Sequence, residues 1–349
     1  MEIQIGKKII RKDNPIFIIA EAGVNHNGDM VLARKLIDVA ADAGADAVKF
    51  QTFTPEEIVS DVAPQAAYQA TNTGKEESQI AMLRGLVLPR KEHAALKKYA
   101  EKKGLIFLST PFSISDADFL ETLDIAAYKI PSGELTNQPF LAHIAKKGKP
   151  VILSTGMGTL EEVREALSVL TENGATGIAL FHCTSEYPTP PADINLRAMQ
   201  TLASEFGLPT GLSDHSEGVC VAIAAVALGA QLIEKHFTLD RTLPGPDHVM
   251  SLEPNELKEM IRCIRMVEQS LGSPEKKPTE GELDTARVAR KSVVAHRDIA
   301  EGVRVVSEDV YIVRPGTGIA PKHFDEVIGK TSKQIIPRGT PLQWEMFVS

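Results

Sequence analysis

Cysteine is scarce in this sequence, and long apolar runs are missing. Its 349 residues include three cysteines, Cys183, Cys220 and Cys263, which have no paired spacing. Disulfides persist mainly in oxidising compartments, so this composition favours a reducing cytoplasm. No apolar run reaches the ~20 residues needed to cross a bilayer. Met1 is not followed by a basic and then an apolar segment, so no secretory signal peptide is predicted.

The sequence also lacks an excess of positive charge. Its formal net charge is −8, whereas a nucleic-acid partner would require a basic face, so we expect none. An anionic small molecule is not excluded, because a few lysines can be concentrated in one pocket. The length predicts roughly two domains. The contents of 43% hydrophobic and 24% charged residues are typical of a globular protein.

A regular alternation of short apolar runs with helical patterns fills most of the chain. Strand and helix in strict alternation predict a parallel sheet. Eight such units in about 250 residues predict a closed (β/α)₈ barrel. The predicted strands are 16–20, 47–50, 106–109, 127–130, 151–154, 178–182, 210–213 and 232–236. The predicted helices are 30–43, 90–103, 115–123, 138–146, 160–173, 196–206, 218–228 and 254–271.

The character of the sequence changes after residue 271. Residues 272–278 are polar and carry two prolines, which is typical of a linker. The remaining tail has short β-like runs at 292–295, 310–313 and 334–336, separated by glycine and proline. We therefore predict a barrel over 1–272, a linker over 273–289 and a small, mostly β domain over 290–349.

Polar side chains end every predicted strand. The active site of a (β/α)₈ barrel lies at the carboxyl ends of its strands, so we expect these side chains to meet there. They are Glu21, Lys49, Gln51, Thr110, Lys129, Ser132, Glu134, Ser154, Thr184, Ser185, Ser213, Asp214, His215, Glu234 and His236.

Two of these residues, His215 and His236, end neighbouring predicted strands. Two imidazoles at one end of a sheet, with carboxylates near them, suit a divalent metal such as Mn²⁺, Zn²⁺ or Fe²⁺. The alternative is a pair of capped or core histidines without a metal.

Lys49 and Lys129 each interrupt an otherwise apolar strand. Burying a lysine without an anionic partner is costly, so an anion is expected close to both. With nearby hydroxyls they predict a cradle for a phosphate and a carboxylate; these are Thr110, Ser132, Ser154 and Ser213. The alternative is an ion-pair network with Glu134 and Glu234. The residues alone therefore predict a metal-assisted enzyme for a small phosphorylated acid, with Glu21 in acid–base steps.

Ten motifs, spread nearly end to end, resemble the sialic acid synthase family. They are AEAGVNHNG (20–28), VKFQT (48–52), STPF (109–112), YKIPSGE (128–134), LSTGM (153–157), HCTSEYP (182–188), GLSDH (211–215), EKHFT (234–238), GPDH (245–248) and RPG (314–316). The tail from about residue 291 resembles the antifreeze-like (SAF) domain of that family.

The resemblance implies condensation of phosphoenolpyruvate with an N-acylated mannosamine-type aldehyde. The products would be inorganic phosphate and a nine-carbon 2-keto acid such as N-acetylneuraminate. It also implies a divalent cofactor, Mn²⁺ first and Mg²⁺ or Co²⁺ as alternatives. The implied assembly is a domain-swapped homodimer, in which the small domain of one chain covers the barrel of its partner.

Roles for individual residues follow from the same resemblance. His215 and His236 would hold the metal, and Glu21 would serve the acid–base steps. Arg314 would reach the N-acyl group of the sugar from the small domain. Phosphoenolpyruvate would contact Lys49, Thr110, Lys129, Ser132, Ser154, Ser185 and Ser213, and the sugar would contact Gln51, Tyr187 and Asp247. Glu134 is counted among the substrate-binding residues without assignment to either substrate. Some members carry asparagine in the turn where this chain has Ser185 and Glu186, a departure that affects the phosphate contact.

Three alternatives remain open at this point. The first motif, at 21–26, resembles the branch that makes legionaminic acids slightly more than the N-acetylneuraminate branch. A binding module based on the antifreeze-like tail is a second alternative. A metal-dependent aldose–ketose isomerase is the third, and it leaves Lys49 and Lys129 without a clear role. His26, His182 and Cys183 are interpreted as structural.

Overall fold

The computed structural model describes residues 1–60, 63–64 and 78–348. Its contacts divide the chain into two units, Met1–Gly272 and Ser273–Ser349. Across the described part of the chain, every helix is too short or too polar to span a membrane. The strands of the first unit are β1 (Ile3–Ile5), β2 (Lys8–Ile10), β3 (Phe17–Gly23), β4 (Ala47–Thr52), β5 (Ile106–Pro111), β6 (Tyr128–Ile130), β7 (Val151–Ser154), β8 (Ile178–His182), β9 (Thr210–Asp214) and β10 (Leu232–His236).

Eight of these strands form one parallel sheet, in the order β5-β4-β3-β10-β9-β8-β7-β6. The two strands at the ends of this order, β5 and β6, are in contact with each other. The sheet is therefore a nearly closed barrel, and the predicted (β/α)₈ architecture is confirmed.

The helices of the first unit surround this sheet. α1 shows why they begin and end where they do: Asp29 accepts hydrogen bonds from the backbone of Val31 and Leu32, and Gly44 ends the helix at a φ of 86°. Such an N-cap and a left-handed glycine are the usual helix boundaries. Among the described residues of this unit, the helices are α1 (Met30–Ala43), α2 (Pro55–Ile58), α3 (Gln79–Arg84), α4 (Arg90–Lys102), α5 (Ile114–Thr122), α6 (Gln138–Ala145), α7 (Leu160–Glu172), α8 (Arg197–Phe206), α9 (Cys220–Ala227) and α10 (Pro254–Leu271).

The amino end of the barrel is closed by an antiparallel hairpin of β1 and β2, which the sequence analysis did not predict. Ile3, Ile5 and Ile10 are buried in the apolar cluster inside the barrel, together with Phe17 and Ile19. Because the interior of the barrel is filled with apolar side chains at this end, its inward-facing polar side chains lie at the carboxyl end.

The inward-facing side chains change from apolar to polar along each strand. On β3, Phe17 and Ile19 belong to the interior cluster, and Glu21 is the next side chain on the same face. On β4, Ala47 is followed in the same way by Lys49. Alternate residues of a strand share one face, so this change creates a polar layer above an apolar layer.

Gly211 allows β9 and β10 to approach closely. A Cβ built on it would lie 1.9 Å from the carbonyl oxygen of Leu232, a distance that no side chain can tolerate. These are the two strands that end at the two histidines, so the glycine brings His215 and His236 together.

The second unit is small and mostly β. Its helices are α11 (Glu280–Ala289) and α12 (Phe324–Val327), and its strands β11 (Ser292–Ala295) and β12 (Val310–Val313) pair antiparallel. α11 lies in the segment predicted as a linker, where Thr279 and Glu282 form a capping box, and none of its residues is buried. The predicted β-like run at 334–336 is no regular strand; Ile336 forms an isolated bridge with Ile299.

Candidate active site

A cavity of about 510 Å³ opens at the carboxyl ends of the barrel strands. The predicted catalytic and substrate-binding residues of the first unit all line it, except Glu134. The residues come from different strands, so the barrel, and no local sequence, brings them together.

Two lysines and two glutamates form a buried ion network on the floor of this cavity. Lys49 Nζ lies 2.9 Å from Glu21 Oε2 and 3.6 Å from Glu234 Oε2, and it donates to Thr110 Oγ1 at 2.8 Å. Lys129 Nζ lies 3.2 Å from Glu234 Oε1. Ser213 Oγ donates to the same oxygen of Glu234 at 3.0 Å.

The two glutamates of this network differ in the pKa of their side chains. Burial raises the pKa of Glu21 to about 7, although Lys49 acts in the opposite direction. Burial also acts to raise the pKa of Glu234, but Lys129 and Lys49 outweigh it and lower that pKa to about 2. Two ammonium groups therefore face one fully ionised carboxylate, which leaves positive charge for an anion. Glu21 can hold or release a proton near neutral pH.

Hydroxyl and amide groups form a second cluster beside the lysines. Ser132 Oγ accepts a hydrogen bond from Gly156 N at 3.0 Å and lies 3.0 Å from Cys183 Sγ. A Cβ on Gly156 would lie 2.4 Å from Ser185 Oγ and 2.8 Å from Ser132 Oγ, so the absence of a side chain keeps this space open. Among the described residues, Ser154 Oγ is buried without a hydrogen-bond partner. An anion with several oxygens fits such a cradle.

His215 and His236 are neighbours in the cavity lining, with ring centroids 5.5 Å apart. His215 Nδ1 donates to the carbonyl oxygen of Thr184 at 2.7 Å, which leaves its Nε2 as a lone-pair donor. Burial lowers the pKa of His215 to about 4. Burial, with His215 next, lowers the pKa of His236 well below its ordinary value. Both imidazoles are therefore neutral at neutral pH, as metal ligands must be.

The donor set fits a divalent cation that keeps open positions. Nδ1 of His236 is buried without a hydrogen-bond partner among the described residues, and it lies 3.9 Å from Asp247 Oδ2. Burial raises the pKa of Asp247 to about 6. Within the described ranges no group of three or more His, Cys, Asp or Glu side chains forms a complete metal site. Two imidazoles would thus leave the other coordination positions to water or substrate.

The remaining walls of the cavity differ in polarity. On one side lie Gln51, Asp247 and Tyr187, whose ring centroid is 4.1 Å from that of His215. Another part of the lining is apolar, and we call it the apolar wall; it consists of Phe53, Met82, Leu83, Leu86 and Phe112. Phe53 and Phe112 pack edge to face with centroids 6.1 Å apart.

Comparisons with known proteins assign this chain to a family. The NeuB family model matches residues 36–276, and the SAF domain model matches residues 290–348. The chain belongs to the NeuB family. The predicted resemblance to sialic acid synthases with an antifreeze-like tail is therefore confirmed, as is the prediction of a synthase-type enzyme.

Relatives of this NeuB-family chain cover nearly its whole length. It is 46% identical over 333 residues to the N,N'-diacetyllegionaminic acid synthase of Legionella pneumophila, with 94% of each chain covered. It is 49% identical over 315 residues to the synthase of the same name from Campylobacter jejuni, with 90% of this chain and 94% of the relative covered. Among solved structures, the N-acetylneuraminic acid (sialic acid) synthetase of Leptospira borgpetersenii matches with a TM-score of 0.72 and 36% identity, over 82% of this chain and 95% of that chain.

One predicted residue of the first unit, Glu134, lies outside the cavity lining. Glu134 accepts a hydrogen bond from Asn137 Nδ2 at 2.6 Å and is not among the lining residues. The predicted alternative, a network with Glu134 and Glu234, is therefore wrong in its first partner, because Glu21 takes that place. Arg314 is exposed in the second unit, and its role towards the sugar stays a prediction.

Three residues at or near the strand ends make structural contacts, and one of them, Asp214, was expected in the active site. Asp214 faces outward and pairs with Lys235 at 2.8 Å. His26 is buried in its turn and accepts from Gly28 N at 3.0 Å, and His182 donates to the carbonyl oxygen of Ile194 at 2.7 Å. The interpretation of both histidines as structural agrees with these bonds.

Sequence reasoning gave Gly156 and Cys183 no place in the active site, and it included Glu234 only among the strand-end residues and in the alternative ion-pair network. A signal for the place of Glu234 in the cavity was present, since it precedes His236 by two residues and so shares its face of the strand. Gly156 contributes by leaving space beside Ser132 and Ser185. Cys183 follows the end of β8 and lies beside Ser132. A single sequence gives no sign of either.

Proposed function

We propose that this enzyme condenses phosphoenolpyruvate with an N-acylated amino sugar to form a nine-carbon 2-keto acid and inorganic phosphate. The observation that carries the proposal is that one cavity contains both the ion network of Lys49 and Lys129 and the two neutral histidines. The first feature suits a small phosphorylated acid, and the second suits a divalent cation. The names of the relatives, which are nonulosonic acid synthases, support the same chemistry.

The proposed reaction forms one carbon–carbon bond, consumes one water molecule and releases one phosphate. C3 of phosphoenolpyruvate joins the aldehyde carbon of the sugar, and the aldehyde oxygen takes up a proton. Water then adds at C2, and phosphate departs. A Mn²⁺ ion, or Mg²⁺ or Co²⁺, bound by His215 and His236 would supply polarisation of the aldehyde.

The side chains provide binding and proton transfer. The ammonium groups of Lys49 and Lys129 hold the carboxylate and phosphate oxygens of phosphoenolpyruvate, and the hydroxyls of Ser132 and Ser154 complete the cradle. Glu21, with a pKa of about 7, gives or takes the proton at the sugar oxygen. Gln51, Tyr187 and Asp247 orient the sugar.

We infer that the sugar is a 6-deoxy compound with acylated nitrogens at two positions, as in the synthesis of diacetyllegionaminic acids. The apolar wall supports this, because a C6 methyl group and an acetamido methyl group can pack on it without loss. A C6 hydroxyl packed against these five described side chains would lose its water without gaining a hydrogen bond from them. The two relatives described above, at 46% and 49% identity, carry this activity in their names.

The test is a comparison of two sugars with phosphoenolpyruvate and Mn²⁺, measured as phosphate release. We expect kcat/KM for 2,4-diacetamido-2,4,6-trideoxymannose to exceed that for N-acetylmannosamine roughly tenfold or more, which is the usual discrimination by an apolar pocket. Equal or better use of N-acetylmannosamine would instead assign N-acetylneuraminate as the product. Conversion of either sugar without phosphoenolpyruvate would indicate the isomerase alternative.

A further inference from the structure

An ion pair between Asp214 and Lys235 lies directly behind the two cavity histidines. Lys235 Nζ donates to Asp214 Oδ2 at 2.8 Å, and the side chains of Lys235 and Asp214 are 0% and 1% exposed, respectively. The register of β9 and β10 places these residues opposite each other. Side chains alternate along a strand, so this pair faces outward where His215 and His236, the next residues along, face the cavity.

The same pair holds the backbone around His215. Asp214 Oδ1 accepts from Ser216 N at 2.9 Å and from Ser216 Oγ at 2.6 Å. Lys235 Nζ donates to the carbonyl oxygen of Ser216 at 2.5 Å. Asp214 and Ser216, the residues before and after His215, are therefore held together by hydrogen bonds. Lys235, which bonds to both of them, directly precedes His236.

Stability does not account for this arrangement. A buried ion pair can often be replaced by apolar side chains of similar volume without loss of stability, since desolvation offsets the attraction between the charges. Apolar residues at these two positions would pack against the surrounding helices, but they could not hold the turn at Ser216. The distinct property of the pair is the control of backbone position on two strands at once.

We propose that the Asp214–Lys235 pair positions the imidazoles of His215 and His236 and thereby sets the affinity of the site for a divalent cation. The inference rests on the metal site of the proposed function. Neither side chain touches the cavity, so both are positioning residues. Replacement of residues that orient metal-binding side chains commonly lowers metal affinity by a factor of about 10–100.

The test is titration of the full chain with Mn²⁺, in which the electron paramagnetic resonance signal reports free Mn²⁺. Asp214→Asn keeps an acceptor for Ser216 and removes the charge, and the double variant Asp214→Asn/Lys235→Met removes both charges. We expect the Kd for Mn²⁺ to rise at least about tenfold in both variants. If the double variant does not fold, Asp214→Asn decides alone.

Asp46→Asn is the matched control. Asp46 pairs with Arg265 at 3.0 Å and accepts from Ile18 N at 2.9 Å, so this buried carboxylate too combines an ion pair with a backbone hydrogen bond. It precedes β4 and so belongs to the opposite end of the barrel. We expect its unfolding temperature, measured with a chelator, to fall without a change in the Kd for Mn²⁺.

Two outcomes would overturn the proposal, and they are distinguishable. A Kd for Mn²⁺ within about twofold of the wild type in both pair variants, with unfolding temperatures lowered as in Asp46→Asn, would leave the pair a structural role alone. Equal Mn²⁺ binding by wild type, His215→Ala and His236→Ala would reject the metal site itself, and the inference with it.

Discussion

Lys49 is an ammonium group on the inner wall of a barrel, at a position that is apolar one layer below. It is stabilised there by Glu21, Glu234 and Thr110, all within 3.6 Å of its Nζ. The attraction of the two carboxylates outweighs the effect of burial and raises the pKa of Lys49. The charge is therefore permanent at neutral pH and available to an anionic substrate.

Replacement of Lys49 or Lys129 by methionine should weaken the binding of phosphoenolpyruvate selectively. Methionine keeps most of the volume and removes the charge, and a charge-assisted hydrogen bond contributes about 1.5–3 kcal/mol. We expect the KM for phosphoenolpyruvate to rise roughly tenfold or more while the KM for the sugar changes little. Separate titration of each substrate measures this. Lys149→Met, which breaks an exposed pair with Asp124, is the control, and equal effects on both KM values would contradict the assignment.

At this scale the sequence predicted charged and hydroxyl groups better than their partners. Lys49 and Lys129 were found because each interrupts an apolar strand. Glu234 was assigned as a partner of the lysines only in an alternative, and Glu134 was placed beside it in error. The pairing depends on which strands are neighbours in the barrel, and that information is long-range. The apolar wall depends in the same way on short helices without a clear periodic signal.

At the scale of elements, the approach of β9 and β10 determines the geometry of the site. The contact between Gly211 and Leu232 leaves no room for a side chain, so any larger residue must push the strands apart. The hairpin of β1 and β2 fills the other end of the barrel and makes the polar end the open one.

Gly211→Ala should reduce both stability and metal binding. Overpacking usually costs about 1–3 kcal/mol, and more where the opposing atom is backbone. We expect a lower free energy of unfolding in denaturant titration and weaker Mn²⁺ binding, because His215 moves relative to His236. Gly281→Ala is the control, since nothing lies within 4 Å of the added Cβ in helix α11. Unchanged stability of Gly211→Ala would show that the strands can separate without cost.

The sequence predicted the eight barrel strands to within a few residues but missed the elements that lack periodicity. β1 and β2 have three residues each, and α2 has four, too few for a pattern to be recognised. α11 was predicted as linker because polar residues and prolines precede it, although its capping box at Thr279 was visible. Strand ends were underestimated because the polar active-site residues at their ends interrupt the apolar pattern.

At the scale of the whole molecule, the chain consists of a barrel unit and a small β unit. The family resemblance predicts that the small unit of one chain completes the site of a partner through Arg314. An arginine suits an acyl oxygen, because its planar fork offers several fixed donors. The assembly stays a prediction that a mixing experiment can decide.

A mixture of Glu21→Ala and Arg314→Ala variants should recover activity when subunits exchange. In a swapped dimer, one site of the mixed pair carries both substitutions and the other carries neither, so about half of the mixed dimers' sites are intact. Phosphate release after exchange is the measurement, and each variant alone is the control. Continued inactivity after exchange has been verified, for example by native mass spectrometry, would contradict the swapped arrangement.

The central claim, that carbon from phosphoenolpyruvate is joined to an amino sugar in the barrel cavity, is tested most directly by isotope labelling. The chain is incubated with ¹³C₃-phosphoenolpyruvate, Mn²⁺ and 2,4-diacetamido-2,4,6-trideoxymannose, and the product is analysed by mass spectrometry. We predict a nine-carbon 2-keto acid that carries all three labelled carbons, formed with one phosphate per molecule and abolished by chelation or by His236→Ala. An unlabelled sugar product, or phosphate release that does not depend on the sugar, would contradict the account.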